Sequence, residues 1–251
     1  MSEQFSGQVD VIDAQGRKVF QFDSSFAVLD VGATGNEGDL RLRGDDGNFK
    51  IHLDGGRSLF LVNDTAGRRV LNFDGNNALL DIGGQGNEGD LRLLGDDGTV
   101  QIHLDAGTGD ITLAGADCAE DFEIETPEMP EPGSVMTIGE TGRLRPCSQP
   151  YDKRAAGVLS GAGSHRAAIV LDRQQERRER RSPLALSGKV FCKVDAGYSP
   201  IEVGDLLTTS PTTGHAMKAC DPARAFGATI GKALQPLTGG LGLVTILVAL
   251  Q

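Results

Sequence analysis

At 251 residues the chain is long enough for two ordinary domains. Its 35 glycines, 10 phenylalanines and 2 tyrosines, with no tryptophan, describe short strands between glycine turns and not a globular core built on aromatic bulk. The net charge of −11 lies wholly in the first 117 residues, which hold 20 acidic and 9 basic side chains, and that half repels DNA, RNA and anionic membrane.

Met1–Gly7 (MSEQFSG) is polar and has no apolar stretch of the kind a secretory signal needs, so none is expected. Short apolar alternations then recur about every 9 to 12 residues. They are Val19–Phe22, Val28–Val31, Leu40–Leu42, Phe49–Leu53, Leu59–Val62, Val70–Phe73, Leu79–Ile82, Leu91–Leu93, Val100–Leu104 and Ile111–Leu113. GDDG, LDGG, DGNN and GTGD separate them, where glycine supplies positive φ and Asp or Asn caps its own backbone. No helical period interrupts this run, which reads as continuous β-structure.

The run says one thing twice. GNEGDLRLRGDDGNFKIHLD at Gly35–Asp54 returns as GNEGDLRLLGDDGTVQIHLD at Gly86–Asp105, and about 28 of 46 positions agree between Val11–Gly56 and Val62–Gly107. Two repeats of about 51 residues, near 8–58 and 59–109, point to a shaft or solenoid and away from an enzyme built on one cleft. Strand alternation puts Ile51 and Leu53 on an inner face, with His52 and Asp54 outside; L-R-L places Arg41 and Arg92 outside too. One apolar face per strand leaves edges to hide. A monomeric parallel β-solenoid and a trimeric β-prism both meet that need, and the uneven strand spacing with short hairpin turns favours the trimer.

Ala116–Gly133 (ADCAEDFEIETPEMPEPG) reads as a boundary, because Pro127, Pro130 and Pro132 forbid regular structure. It divides a shaft, residues 1–115, from a β-rich C-terminal domain, residues 116–251. Within the latter, Glu140-Thr141-Gly142 forms a hairpin turn, and the apolar Leu243–Leu250 is a final strand buried on both faces. Its longest apolar run is too short for a membrane span. Cys118, Cys147, Cys192 and Cys220 form no CxxC pair and read as reduced thiols.

Several residue groups carry possible chemistry. Asp45 and Asp96 in the GDDG loops, with Asp54 and Asp105 downstream, suit Ca²⁺ by ligand type, yet no Glu closes a calcium loop and turn formation is the favoured role. His52 and His103, at equivalent repeat positions, are metal-ligand candidates that the outward alternation disfavours. DRQQERRERRS (Asp172–Ser182) is the one basic cluster; it reads as a solvated loop or a short helix laced by pairs such as Glu176–Arg180, with no nucleic-acid partner. His165 and His215 lie in glycine-rich turns with no nucleophile elbow, so no triad is expected. No cofactor is implied.

The second half carries a resemblance. ADCAEDFEI (Ala116–Ile124), followed by a strand-turn-strand into YDKRAAGVLSG with Gly157-Val158-Leu159-Ser160, resembles the opening of the peptidase G2, or autoproteolytic intramolecular chaperone, domain of phage neck-appendage and tail-fibre proteins. Pro200–Ala219 looks like a β-clip segment. The resemblance implies a trimeric β-helical shaft followed by a domain that trimerises and sets its register. It places the protein in a virion or extracellular particle after cytoplasmic synthesis. Its expected partners are copies of itself, a baseplate or tail component, and a cell-surface receptor or glycan at the tip. In autoproteolytic relatives, acidic residues near the motif serve cleavage of the bond just upstream. Asp117, Glu120, Asp121 and Glu123 occupy that stretch here, with Thr112 and Cys118 the nearest nucleophiles, and a structural acidic strand is favoured over catalysis. A physical argument favours the clamp: two interchangeable repeats pair out of register at little local cost, so alignment must come from outside them.

Overall fold

The structure, a computed structural model, describes residues 8–23, 28–35, 37–84, 86–174 and 180–249. The polar Met1–Gly7 segment and the centre of the Arg-rich run, including Glu176, lie outside the described residues. The fold is all-β, with 21 strands and one four-residue helix among the described residues. The chain divides into two compact units, Met1–Thr112 and Leu113–Gln251.

The first unit runs through β1 (Gln8–Ile12), β2 (Lys18–Asp23), β3 (Val28–Val31), β4 (Asp39–Arg43), β5 (Phe49–Asp54), β6 (Leu59–Asn63), β7 (Arg69–Asp74), β8 (Leu79–Ile82), β9 (Asp90–Leu94), β10 (Val100–Asp105) and β11 (Asp110–Leu113). Ten of these match the apolar alternations; β1 is the addition. They form three sheets in chain order, β1-β2-β3, β4 to β8, and β9-β10-β11. Consecutive strands pair antiparallel throughout the central sheet. That overturns the parallel-solenoid alternative, because a connection of a few residues reverses the chain, whereas parallel neighbours need a long crossover.

The turns explain the meander. In GDDG, the Gly47 N–H donates to Gly44 O at 3.0 Å and the Gly44 N–H to Asn48 O at 3.0 Å, with Gly47 at φ 77°. Gly98 repeats this at φ 79°. This is a three-residue hairpin loop whose left-handed last residue creates a bulge, seen as the register shift between Leu42 and Arg43. At the sheet changes a second glycine is required. A Cβ on Gly38 would lie 1.8 Å from Val31 O, and one on Gly89 would lie 1.8 Å from Ile82 O.

The second unit comprises β12 (Asp117–Glu123), β13 (Val135–Ile138), β14 (Leu144–Pro146), β15 (Ala155–Leu159), β16 (Ala167–Leu171), β17 (Arg181–Asp195), β18 (Leu206–Thr209), β19 (Ala216–Lys218), helix α1 (Pro222–Ala225), β20 (Thr229–Ala233) and β21 (Leu241–Val248). The long β17 serves two layers. Its first half pairs with β12 and β15, and its second half with β21. Gly188 is the pivot, at φ 100°, with Asp117 Cα so close that a Cβ would meet it at 2.8 Å. From there β17-β19-β18-β20-β21 closes back on β17 as a small barrel. Val190, Cys192, Val194, Ile230, Val244 and Ile246 fill its interior. A second cluster, including Ile124, Met136, Leu144 and Leu184, sits under β13 to β15.

Within the boundary stretch, Asp117–Glu123 forms the expected acidic strand, β12, which pairs in parallel with β16 and antiparallel with β17, and Glu125–Gly133, where the prolines lie, stays outside the strands. One expectation changes here. The final strand is buried on one face only. Val244, Ile246 and Val248 point into the barrel, while Leu243 and Leu247 are 44% and 43% exposed on its outside. A barrel strand has a single interior face, however apolar its sequence.

Candidate functional site

The first unit has no apolar core of its own. Among its described residues no hydrophobic side chain is buried, and only the polar Asp54 and Asn72 are. Strand register shows why. Leu40, Leu53, Phe60, Phe73 and Leu80 stand side by side across the five strands. Two residues along, Leu42, Ile51, Val62, Leu71 and Ile82 form a second row on the same face. Ten aliphatic and aromatic side chains thus cover one face with no polar interruption. Leu29 and Val31 of β3 line the same groove as Leu40, Leu53, Phe60 and Phe73, so two successive sheets wall one apolar channel.

The opposite face is mixed: Asp39, Arg41, His52, Asp54, Asn72, Asp74 and Asp81 share it with Leu59, Leu61 and Leu79. Arg41 lies in ion-pair contact with Asp39 and donates Nε–H to His52 Nε2 at 3.0 Å. His52 Nε2 is also 3.3 Å from Asp39 Oδ2, and the ring stacks on Phe49 at 5.8 Å. The Arg41 and Arg43 guanidiniums sit over the Phe49 ring at 5.1 and 4.1 Å. Asp54 accepts from the Arg57 backbone N–H at 2.9 Å. Alternation therefore holds, but the coverage is reversed from expectation: within one chain Asp54 is 8% exposed and Leu53 43%. Long polar side chains cover one another, whereas among the described residues of this unit no side chain of the apolar rows is fully buried.

The metal candidates fall differently from their sequence grouping. His52 joins Asp39 and Asp54, and His103 joins Asp90 and Asp105, with ligand atoms of each trio within 4.8 Å of one another. Asp45 and Asp96 are not in these trios; they lie exposed on the GDDG loops. Their neighbours do the capping. Asp46 accepts from Lys50 Nζ at 2.7 Å and from the Asn48 N–H, which hold its carboxyl below the usual range, and the Thr99 N–H does the same for Asp97. In the second repeat Arg92 pairs with Asp90 at 2.9 Å and donates Nε–H to His103 Nε2 at 3.3 Å. Each arginine contacts the histidine and one aspartate of its trio and puts a positive charge beside them. The histidine nitrogen that would face an ion accepts an arginine proton instead.

The acidic strand β12 separates its four carboxylates. Asp117 and Asp121 point inward and are buried, with Glu120 and Glu123 half-buried on their own sites. Ser160 Oγ donates to Asp117 Oδ1 at 2.9 Å, and burial pushes the Asp117 carboxyl upward. Asp121 pairs with Arg173 at 3.4 Å, and Glu123 with Arg143 at 2.9 Å. The Arg-rich run thus contributes cations to this strand: Arg181 donates to the Asp121 carbonyl and Arg180 to Thr126 O. His165 stacks on Phe191 at 4.7 Å. The Ser160 hydroxyl donates to a carboxylate and not to an imidazole, so the pair is not a serine–histidine arrangement. Sequence reading missed Ser160 as a partner of Asp117 because 43 residues separate them.

No protein-family model matches the chain, and no curated protein does. Among solved structures, the C-terminal fragment of bacteriophage phi29 gene product 12 superposes with a TM-score of 0.39 at 16% identity, over 53% of this chain and 100% of that one. The pre-mature phi29 gene product 12 superposes with a TM-score of 0.40 at 16% identity, over 60% of this chain and 24% of that one. Likenesses at this level establish no function for this chain.

Proposed function

We propose that the protein is a structural fibre or spike component of a phage or phage-derived injection system, and that it works as a homotrimer without enzymatic activity. The uncovered apolar face of the first unit carries this reading. Ten rowed side chains that no part of the chain buries require a partner, since faces of this extent on soluble proteins mark interaction sites. Three copies of one amphipathic sheet, placed around an axis, bury the rows against each other and leave the polar lattice of Asp39, Arg41 and His52 outside. The order of shaft and then β-rich domain, and the Ala116–Ile124 and Gly157–Ser160 motifs, support the phage-appendage class. In this reading the second unit has its own packed core, folds first and aligns the shaft, and its outer surface meets a receptor or glycan. Light scattering on the intact chain tests the assembly: a trimer is expected, and a monomer at micromolar concentration overturns it.

Autoproteolysis is the competing reading, favoured only by the buried Asp117 beside Ser160. The dispersed carboxylates of β12, with Asp117, Asp121 and Glu123 each held by a different partner, support a structural strand instead. Intact mass after prolonged incubation is expected to stay unchanged; two fragments divided near 115–117 would establish cleavage.

A further inference from the structure

The first unit leaves strand edges unsatisfied as well as a face. Among the described residues β3, β4, β8 and β9 pair on one side only. These edges fall at the same point of each repeat, where the chain leaves one sheet for the next. The breaks are not for want of a turn. Gly83 to Gly89 is long enough for a hairpin loop. Instead Gly84 and Asn87 exchange backbone bonds of 2.9 Å in each direction, and Gly89 packs on the Ile82 carbonyl, forming a corner that turns β9 away from β8. Gly38 packs on Val31 in the same way.

Bonds at the strand ends identify the unused groups. The Gly83 N–H donates to Val70 O at 2.8 Å, so by alternation Asp81 faces β7 and the amides of Leu80 and Ile82 point outward. Gly89 O accepts from Ala106 N at 3.3 Å, so Leu91 faces β10 and the amides of Asp90 and Arg92 point outward. One pair of edges is also complementary in charge: VLDV in β3 carries one aspartate and no base, and DLRLR in β4 carries two arginines against one aspartate, whereas LLDI in β8 is matched to DLRLL in β9, which carries one of each. The apolar rows also continue: Leu80 and Ile82 end one sheet, and Leu91 and Leu93 begin the next.

Resting on the trimeric reading, we propose that the free edge of β8 in one copy pairs with the free edge of β9 in a second copy, and β3 with β4 likewise. Each wall of the shaft is then a continuous ladder assembled from different chains, and every chain changes wall at its glycine corners. Such an entwined shaft comes apart only by breaking backbone ladders, and it closes the internal edges where stray pairing would otherwise start, leaving β1 and β11 at its two ends.

Residue-resolved hydrogen exchange on the full chain, with light scattering on the same sample, tests this. In a trimer, the amides of Leu80, Ile82, Asp90 and Arg92 are expected to exchange at least about 100-fold slower than unstructured amides, as do the in-sheet references Asp81 and Leu91. A trimer whose references are slow but whose edge amides exchange freely overturns edge pairing and leaves the trimer standing. A trimer in which both sets exchange freely also overturns it. A monomer overturns both readings.

Discussion

Replacing Phe73 with serine removes the largest side chain from the middle of the apolar row without disturbing anything buried in a single chain. Phe73 is 47% exposed. A phenylalanine side chain offers about 200 Å², so closing the face covers about 90 Å² more per copy. At ~25 cal/mol per Å² that is about 2 kcal/mol per copy and about 7 kcal/mol for three. The substitution therefore lowers the trimer association constant by about 10⁵-fold, at roughly 1.4 kcal/mol per decade. Sedimentation velocity over a concentration series reads this directly, with far-ultraviolet circular dichroism confirming that the strands persist. Lys50→Gln, on the polar side, is the control and leaves assembly unchanged, because an exposed pair such as Lys50–Asp46 contributes little. If F73S assembles at the same concentrations as the parent, the apolar rows are not the assembly surface and the reasoning fails.

Backbone strain offers a second test. Ala78 holds φ 51° in the turn after β7, a left-handed position like the one Gly109 occupies at φ 79° in the turn after β10. Ala78→Gly is expected to stabilise the protein slightly and Gly109→Ala to cost about 1 kcal/mol, both read from denaturant midpoints. Asp117 gives a pH dependence whose sign is set by burial. Its folded carboxyl titrates above the unfolded value, so this contribution is fully present below the unfolded value and is lost as pH rises through the folded one. Thermal melts of Asp117→Asn, which keeps an acceptor for Ser160, should lose that decline between acid and neutral pH; an unchanged profile means that Asp117 does not carry it. Thiol labelling separates the cysteines. Cys220 is exposed and reacts in the native state, whereas Cys147 and Cys192 are buried with thiols pushed upward by desolvation and react only on unfolding.

Much of the fold could be read in advance because its signals are local. Alternating residues marked ten strands, and GDDG marked its own turn, since a positive φ at the last glycine is a property of a few bonds. The candidate sites were less legible. Asp45 was singled out for its motif, but His52 meets Asp39, which lies on the neighbouring strand two residues off register, and Arg41 contacts both. Ser160 reaches Asp117 only because β15 and β12 both pair with β17.

What the sequence determined by itself was periodicity: which side chains share a face, where the chain turns, and that one unit is used twice. Only the tertiary structure decided what each face meets. It put the apolar rows of the repeat in the open, closed the last strands into a barrel that buries one side of Leu243–Val248, and kept β8 from pairing with β9. The reason is physical. Alternation is fixed by the backbone of a single strand, whereas burial depends on whatever comes to lie opposite, and among the described residues of the repeat unit no apolar side chain is fully buried.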